Sequence, residues 1–329
     1  MVEQINKDLY RIGVPLPGNP LKELNSYVLL GKKRNLIVDT GFNMPTCKEA
    51  MNKGIMEIGI PQNSFDLFIT HVHSDHCGLV KYLSGVNNKV YCSNYTSYAF
   101  NGSYGNKVLY GYFNDMVVQS GLPMMELDIH PGIQYAPETI GEDNIIIIRD
   151  KDVINLGDWK LQFIMTTGHA PEHVCLYDKK RKILFSGDHI LDGITPNNTV
   201  WSSPWRSKKD LLGEYLANLD KIDKLEIDVT YPAHRNKIID THGRIGELKD
   251  HHAKRLNSIL AILGKSKMNG VEVASKMQWD LRGQTWGNFN IIHKLFATGE
   301  ALSHLVHLVC LGVLKEELYD GIVYYSKLN

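Results

Sequence analysis

Phe68-Ile69-Thr70-His71-Val72-His73-Ser74-Asp75-His76-Cys77-Gly78 decides how the rest of the chain is understood. Phe65 to Thr70 is apolar and β-branched and reads as a short buried strand, while Cys77 to Ser84 reads as the start of a helix. The histidines therefore fall at a strand-to-helix junction, where side chains converge on a cleft. Residues two apart on an extended backbone project to the same side, so His71 and His73 can grip one ion together. As the chain turns into the helix, Asp75 and His76 swing to a second position nearby. Imidazoles and a carboxylate are the donors expected for zinc, and they suit iron or manganese as well. A lone histidine in a loop is ordinarily a polar surface residue. Three of them with an aspartate inside six residues are hard to explain that way, because such a cluster is costly to bury without an ion.

Upstream, Leu9 to Pro15, Asn25 to Leu30 and Asn35 to Asp39 read as strands separated by Pro17-Gly18-Asn19-Pro20 and Gly31-Lys32-Lys33-Arg34. Pro45 to Ile58 carries apolar residues at helical spacing, and Lys89 to Cys92 is another short strand. Residues 94–139 change character, with Tyr95, Tyr98, Phe100, Tyr104, Tyr110, Tyr112, Phe113, Met116, Met124 and Met125. An insertion of this kind covers the cleft and supplies an apolar wall for substrate, or packs a small core of its own; the two are compatible.

Downstream, strands are expected at Asn144 to Arg149, Lys160 to Thr166, His173 to Asp178 and Lys182 to Ser186, the last two forming a hairpin over Asp178-Lys179-Lys180-Arg181. Trp205 to Ile222 contains a helix with Leu211, Leu212, Tyr215, Leu216 and Leu219 on one face, and Ile227 to Tyr231 is a final strand. From residue 245 the pattern is helical, over Gly246 to Leu263, Val271 to Met277, Asn290 to Phe296 and Glu300 to Cys310. Two short strands then flank Tyr319-Asp320-Gly321, a hairpin signal. Helices closed by a hairpin look like a winged-helix arrangement.

A chain of 329 residues predicts about two domains, here residues 1–244 and 245–329. The 43% apolar and 22% charged composition is that of an ordinary globular protein, and a formal charge of zero provides no basic field for nucleic acid or anionic lipid. The five cysteines are scattered singly, without a C-x-x-C pair, which predicts reduced thiols and a cytoplasmic setting. Cys77, beside the histidines, reads as a small buried residue and not a nucleophile. Met1 to Tyr10 lacks an apolar signal core, and no run of about 18 apolar residues predicts a membrane span.

Three further sites share the placement of the first cluster, each at the end of an expected strand: His169 after Thr166-Thr167-Gly168, Asp188 after Ser186-Gly187, and His234 after Tyr231-Pro232-Ala233. In order and approximate spacing, His71-x-His73-x-Asp75-His76, Gly168-His169, Ser186-Gly187-Asp188 and His234 resemble the metallo-β-lactamase superfamily, over roughly residues 8 to 240. The resemblance implies an α/β fold, a four-layer αβ/βα sandwich of two β-sheets packed face to face with helices outside. It implies two divalent metal ions, zinc first and iron or manganese as alternatives. His71, His73 and His169 would bind the first ion, Asp75, His76 and His234 the second, and Asp188 would bridge them. Asp39-Thr40-Gly41 looks like a supportive strand-end motif of the same family. The tail, with His252, Arg255, Trp279, Trp286 and Gly299, looks like the C-terminal domain of a subgroup that includes β-lactamase-like endoribonucleases. An aspartate in the place of Asp188 is usually missing from the superfamily's true β-lactamases, which points to the glyoxalase II-like, lactonase-like and nuclease-like branches.

The expected activity is metal-dependent hydrolysis by a hydroxide bridging the two ions, with Asp75 orienting that hydroxide and passing a proton to the leaving group. The expected partner is a small molecule, a thioester or ester with an apolar group. An endoribonuclease or phosphodiesterase acting on single-stranded nucleic acid is the main alternative, weakened by the neutral charge. A non-catalytic binding or regulatory protein on the same scaffold is the third. His173, His189 and Glu172 either orient ligands or simply pack, Arg235 could meet an anionic substrate, and His293, His304 and His307 read as packed tail histidines rather than a third metal site.

Overall fold

In the computed structural model, which describes residues 1–85, 87–100, 115–122, 138–201, 209–279 and 285–328, the chain up to residue 147 lays down a seven-stranded sheet in sequence order. β1 (Val2–Asn6), β2 (Leu9–Pro15), β3 (Glu23–Leu29) and β4 (Asn35–Val38) are joined by short turns and pair antiparallel. β5 (Phe65–Phe68), β6 (Val90–Cys92) and β7 (Ile145–Ile147) continue the sheet in parallel. Parallel pairing needs crossovers. The first is α1 (Pro45–Ile58), opened by a proline and closed by Gly59 at φ 79°, whose N–H reaches the carbonyls of Ile55 and Met56. The second runs through α2 (Ser74–Cys77) and α3 (Val80–Leu83), two short helices where one was expected. The third contains α4 (Asn94–Ser97).

A second sheet orders its strands β12-β11-β10-β9-β8. β8 (Val153–Asn155), β9 (Lys160–Met165), β10 (Val174–Asp178) and β11 (Ile183–Gly187) run antiparallel, and β12 (Val229–Pro232) joins β11 in parallel across α5 (Leu211–Asp223). Leu9, Tyr27, Leu29, Leu36 and Phe68 from the first sheet meet Leu161, Phe163, Leu176, Phe185 and Tyr231 from the second in one buried core, with the Phe68 and Phe163 rings 5.1 Å apart. The outer face of the first sheet packs on Cys47, Met51 and Ile55 of α1. The outer face of the second packs on Leu212, Tyr215 and Leu219 of α5. Helix, sheet, sheet, helix is the expected four-layer order.

The tail begins with α6 (Thr241–Leu263), capped by the Asp240 side chain, which accepts from Gly243 N. The junction expected at 244/245 lies inside this helix. Its Ile245 and Leu248 belong to the core of the second sheet, and its Ile259 and Leu263 to the core of the tail. β13 (Met268–Asn269), α7 (Gly270–Lys276), α8 (Ile291–Cys310), β14 (Leu314–Tyr319) and β15 (Ile322–Lys327) follow, and the strands form a small antiparallel sheet in the order β13-β15-β14. Asp320 and Gly321, at φ 49° and 77°, make the expected hairpin turn.

The two helices expected over Asn290 to Phe296 and Glu300 to Cys310 are one continuous helix, α8. Gly299 interrupts the helical pattern in sequence, but its missing side chain lets the helix approach Thr199, whose Oγ1 would lie 2.1 Å from a Cβ there. Of the insertion, Phe100 enters the core beneath α1, and Met116, Val117 and Leu122 enter the tail core, so these residues pack rather than line a cleft. Tyr104, Tyr110, Tyr112, Phe113, Met124 and Met125 lie outside the described residues, as does Trp205.

Candidate metal centre

All seven candidate residues sit where a strand has just ended. His71 and His73 follow β5, Asp75 and His76 lie on α2, His169 follows β9, Asp188 follows β11 and His234 follows β12. Their donor atoms converge. Ligand-type atoms of His71, His73 and His169 all lie within 4.8 Å of one another, and the same holds for His71, His76 and Asp188 and for Asp75, His76 and His234. His73 Nδ1 lies 2.8 Å from His71 Nε2 and 3.1 Å from His169 Nε2. Asp188 stands between the groups, one oxygen 3.6 Å from His169 Nε2 and 3.5 Å from His76 Nε2, the other 3.6 Å from His234 Nε2. Asp75 Oδ2 lies 3.5 Å from His234 Nε2.

Outer atoms fix which nitrogen faces inward. A carbonyl oxygen only accepts, so His169 Nδ1 must donate to Asn197 O at 2.8 Å, and His234 Nδ1 to Glu23 O at 2.9 Å. Both rings then present Nε2 to the cluster. His76 Nδ1 lies 2.8 Å from Asp39 Oδ2. Asp39 in turn accepts from the Thr70 N–H and hydroxyl, and holds φ 59°, a strained backbone for a residue other than glycine.

His173 lies behind Asp188. Its Nδ1 lies 2.8 Å from the Thr166 hydroxyl, and its Nε2 accepts the Asp188 backbone N–H at 3.1 Å. It therefore holds the backbone of Asp188 and contributes nothing directly to the cluster. Gly187 has to be glycine here, because at φ 51° a Cβ would come 2.6 Å from His173 Nε2. The Trp201 ring stacks 5.2 Å from that of His73, and its Nε1 donates to His169 O.

Burial and mutual repulsion push the His71 imidazole well below its ordinary range, and burial with His169 beside it pushes His73 down to about 3. Burial would raise Asp75, but His76 and His234 draw it down to about 2. Burial likewise opposes the charge on Asp188, yet His234, His76 and His169 hold it well below the carboxylate range. Carboxylates thus meet the neutral imidazoles of His71 and His73 in a closed space. The Nε2 atoms of His76 and His234 and Asp188 Oδ1 are buried without a hydrogen-bond partner. Orphaned buried donors and acceptors of this kind are costly, and nitrogen and carboxylate oxygen are the donor set of a divalent transition ion. The residues fit such ions.

The remaining candidates separate. Cys77 is fully buried, its thiol pushed well above its ordinary range by burial and its Sγ directed at Val72 O. Glu172 Oε2 accepts from Tyr95 N at 2.7 Å and braces α4. Arg235 is exposed, with its carbonyl held by Asn25 Nδ2. His189 is buried, packed edge-on against Tyr215 and set behind His173, whose ring lies 6.0 Å from its own. His304 and His307 are buried, and bond to Glu300 O and Asp210 Oδ2. Sequence reasoning did not find Asn197 or Trp201: they lie 28 and 32 residues beyond His169 with no pattern to mark them.

Residues 22–234 match the Metallo-beta-lactamase superfamily. The lactamase-like protein adaB of Aspergillus niger is 24% identical over 81% of this chain and 67% of its own. The acyl-coenzyme A thioesterase MBLAC2 of Homo sapiens is 25% identical over 64% of this chain and 73% of its own. Among solved structures, a metallo-beta-lactamase family protein from Thermus thermophilus superposes with a TM-score of 0.82 at 24% identity, covering 99% of this chain and 100% of that one. A beta-lactamase domain protein from Burkholderia ambifaria gives 0.83 at 23% identity, over 99% and 93%. With the sandwich, the strand-end placement of the site and a match spanning well over half its length, the chain belongs to the metallo-beta-lactamase superfamily.

Proposed function

We propose that the chain is a dinuclear metal-dependent hydrolase whose substrate is a thioester or ester carrying an apolar group. The observation that carries the metal reading is the set of orphaned buried atoms on His76, His234 and Asp188, facing one another across a space ringed by the other four residues. In this reading His71, His73 and His169 would hold one ion and Asp75, His76 and His234 the other, with Asp188 lying between the two groups. Divalent ions there supply a water acidified towards neutral pH and a positive charge for the developing oxyanion.

The chain's own residues do the rest. Asp75, a carboxylate at neutral pH, accepts a hydrogen bond from the attacking water and orients it towards the carbonyl carbon. The same carboxylate takes the water's proton as the new C–O bond forms and delivers it to the thiolate or alkoxide that leaves as the C–S or C–O bond of the substrate breaks. Asp39, Asn197 O and Glu23 O keep three imidazoles in one orientation, so little reorganisation accompanies the reaction.

Support for the thioester class comes from the likeness to the acyl-coenzyme A thioesterase MBLAC2. The tail's order of helix, short strand, helix, helix and hairpin resembles that of a winged helix, and we assign it as a winged-helix-like unit joined to the sandwich through α6, which enters both cores. The test is a panel of acyl thioesters, lactones, phosphodiesters and single-stranded RNA on protein of measured metal content. Thioester or ester turnover that tracks metal content is expected. Turnover confined to phosphodiesters or RNA would move the substrate class to nucleic acid, and no turnover with metal bound would favour a binding role.

A further inference from the structure

The strap of residues 197–201 touches the metal centre on one side and the tail on the other. On the inner side, Asn197 O takes the His169 Nδ1 proton at 2.8 Å, and Trp201 stacks on His73 and donates to His169 O. On the outer side, Asn198 Nδ2 lies 3.3 Å from His252 Nε2, and Thr199 presses against Gly299. His252 Nδ1 lies 3.0 Å from His304 Nε2, and His304 Nδ1 lies 2.8 Å from Glu300 O. His252 is on α6 and His304 on α8, so both long tail helices take part.

The proton positions along this line follow from its far end. Glu300 O can only accept, so His304 Nδ1 carries a proton. Burial pushes His304 down to about 4 and His252 down to about 2, so both rings are neutral with one proton each. His304 Nε2 is then an acceptor, which places the His252 proton on Nδ1. His252 Nε2 in turn accepts, and the donor facing it is the Asn198 amide. Every link has one direction, and the line ends one residue from the carbonyl that sets the orientation of His169. Both histidines are buried, at 1% and 0% exposure, where an unmet donor would be costly, so the order is strongly held.

We propose that His252 and His304 are positioning residues for the metal centre: through Asn198 they seat the strap so that Asn197 O and Trp201 hold His169 and His73 in ligand geometry. The tail is then a working part of the site. This rests on the metal-centre reading above, and the test separates the two.

The full-length chain is stripped and titrated with zinc against a chromophoric chelator, as wild type, His252→Leu and His252→Gln. Leucine fills the volume but cuts the line, whereas glutamine keeps an acceptor towards Asn198. Zinc affinity is expected to fall about 10–100-fold at one of the two positions in His252→Leu, the usual cost of losing an outer partner of a ligand, and to return to within about threefold of wild type in His252→Gln. Should His252→Leu not fold, Asn198→Leu cuts the same line from the strap. Independently, long-range nitrogen–proton correlations on wild-type protein labelled at histidine nitrogen are expected to show Nδ1–H, Nε2-bare rings at both His252 and His304. Two zinc ions in wild type with unchanged affinity in the folded leucine variant, or a His252 proton on Nε2, would overturn this proposal alone. No zinc uptake by wild type would overturn the metal-centre reading and this proposal with it.

Discussion

Asp39 and His76 face each other across the end of the first sheet, Oδ2 2.8 Å from Nδ1, though they are separated by 37 residues. The contact fixes His76 with Nε2 turned into the cluster and raises the basicity of that nitrogen. Asp39→Asn keeps a residue tolerant of φ 59° and removes the charge. Zinc affinity of this variant, measured by chelator competition, is expected to fall about 10-fold or more, with its unfolding midpoint close to that of wild type.

In the proposed mechanism Asp75 is both a ligand and the proton carrier. Asp75→Asn, assayed only after both metals are shown to be retained, is expected to lose about 10²–10⁴-fold in kcat with little change in KM. Undiminished turnover would remove Asp75 from the proton path and leave it a ligand alone.

Gly168 turns the chain into His169 at φ 154°, and a Cβ there would fall 2.4 Å from Tyr215 Cβ. Gly168→Ala is expected to cost about 3 kcal/mol or more from backbone strain and overpacking together, seen as a lowered urea midpoint. Zinc affinity of the folded fraction falls with it, because the same turn presents His169.

Much of this site was legible because it rests on chemistry that local sequence records. A β-branched run followed by His71-x-His73-x-Asp75-His76 states both the strand and its end, and His169, Asp188 and His234 repeat the placement. What was not legible lies in contacts between distant segments. β1, with sequence VEQIN, is an edge strand whose mixed polar residues carry no apolar alternation, and β8 is three residues long on the opposite sheet's edge. α8 read as two helices because Gly299 breaks the pattern, and only Thr199 packed against it explains the glycine. His173 was marked as either an orienting or a packed residue, and the structure shows it gripping the Asp188 backbone.

Asp210 offers a test of how the tail is fastened to the sandwich. Its carboxylate caps α5 through Gly213 N at 2.8 Å and bonds His307 Nδ1 on α8 at 2.8 Å. Burial opposes its charge, but His307 and the Gly213 N–H outweigh it and lower its pKa. A depressed carboxylate contributes stability that is fully present above its unfolded pKa and is lost as pH falls through the folded value. Asp210→Asn is expected to cost about 1 kcal/mol at pH 7, with the gap to wild type closing as pH drops below the ordinary carboxylate range. Urea midpoints of both chains across that range measure it, and a gap independent of pH would assign the loss to packing alone.

Hydrolysis is expected to depend on ions held by His71, His73, Asp75, His76, His169, Asp188 and His234. Stripped protein titrated with zinc, with acyl thioester hydrolysis followed at every addition, tests it most directly. Two ions bound per chain are expected, with activity absent at the start and rising with occupancy. Full activity in the stripped chain, or saturation without any zinc bound at these residues, would contradict it.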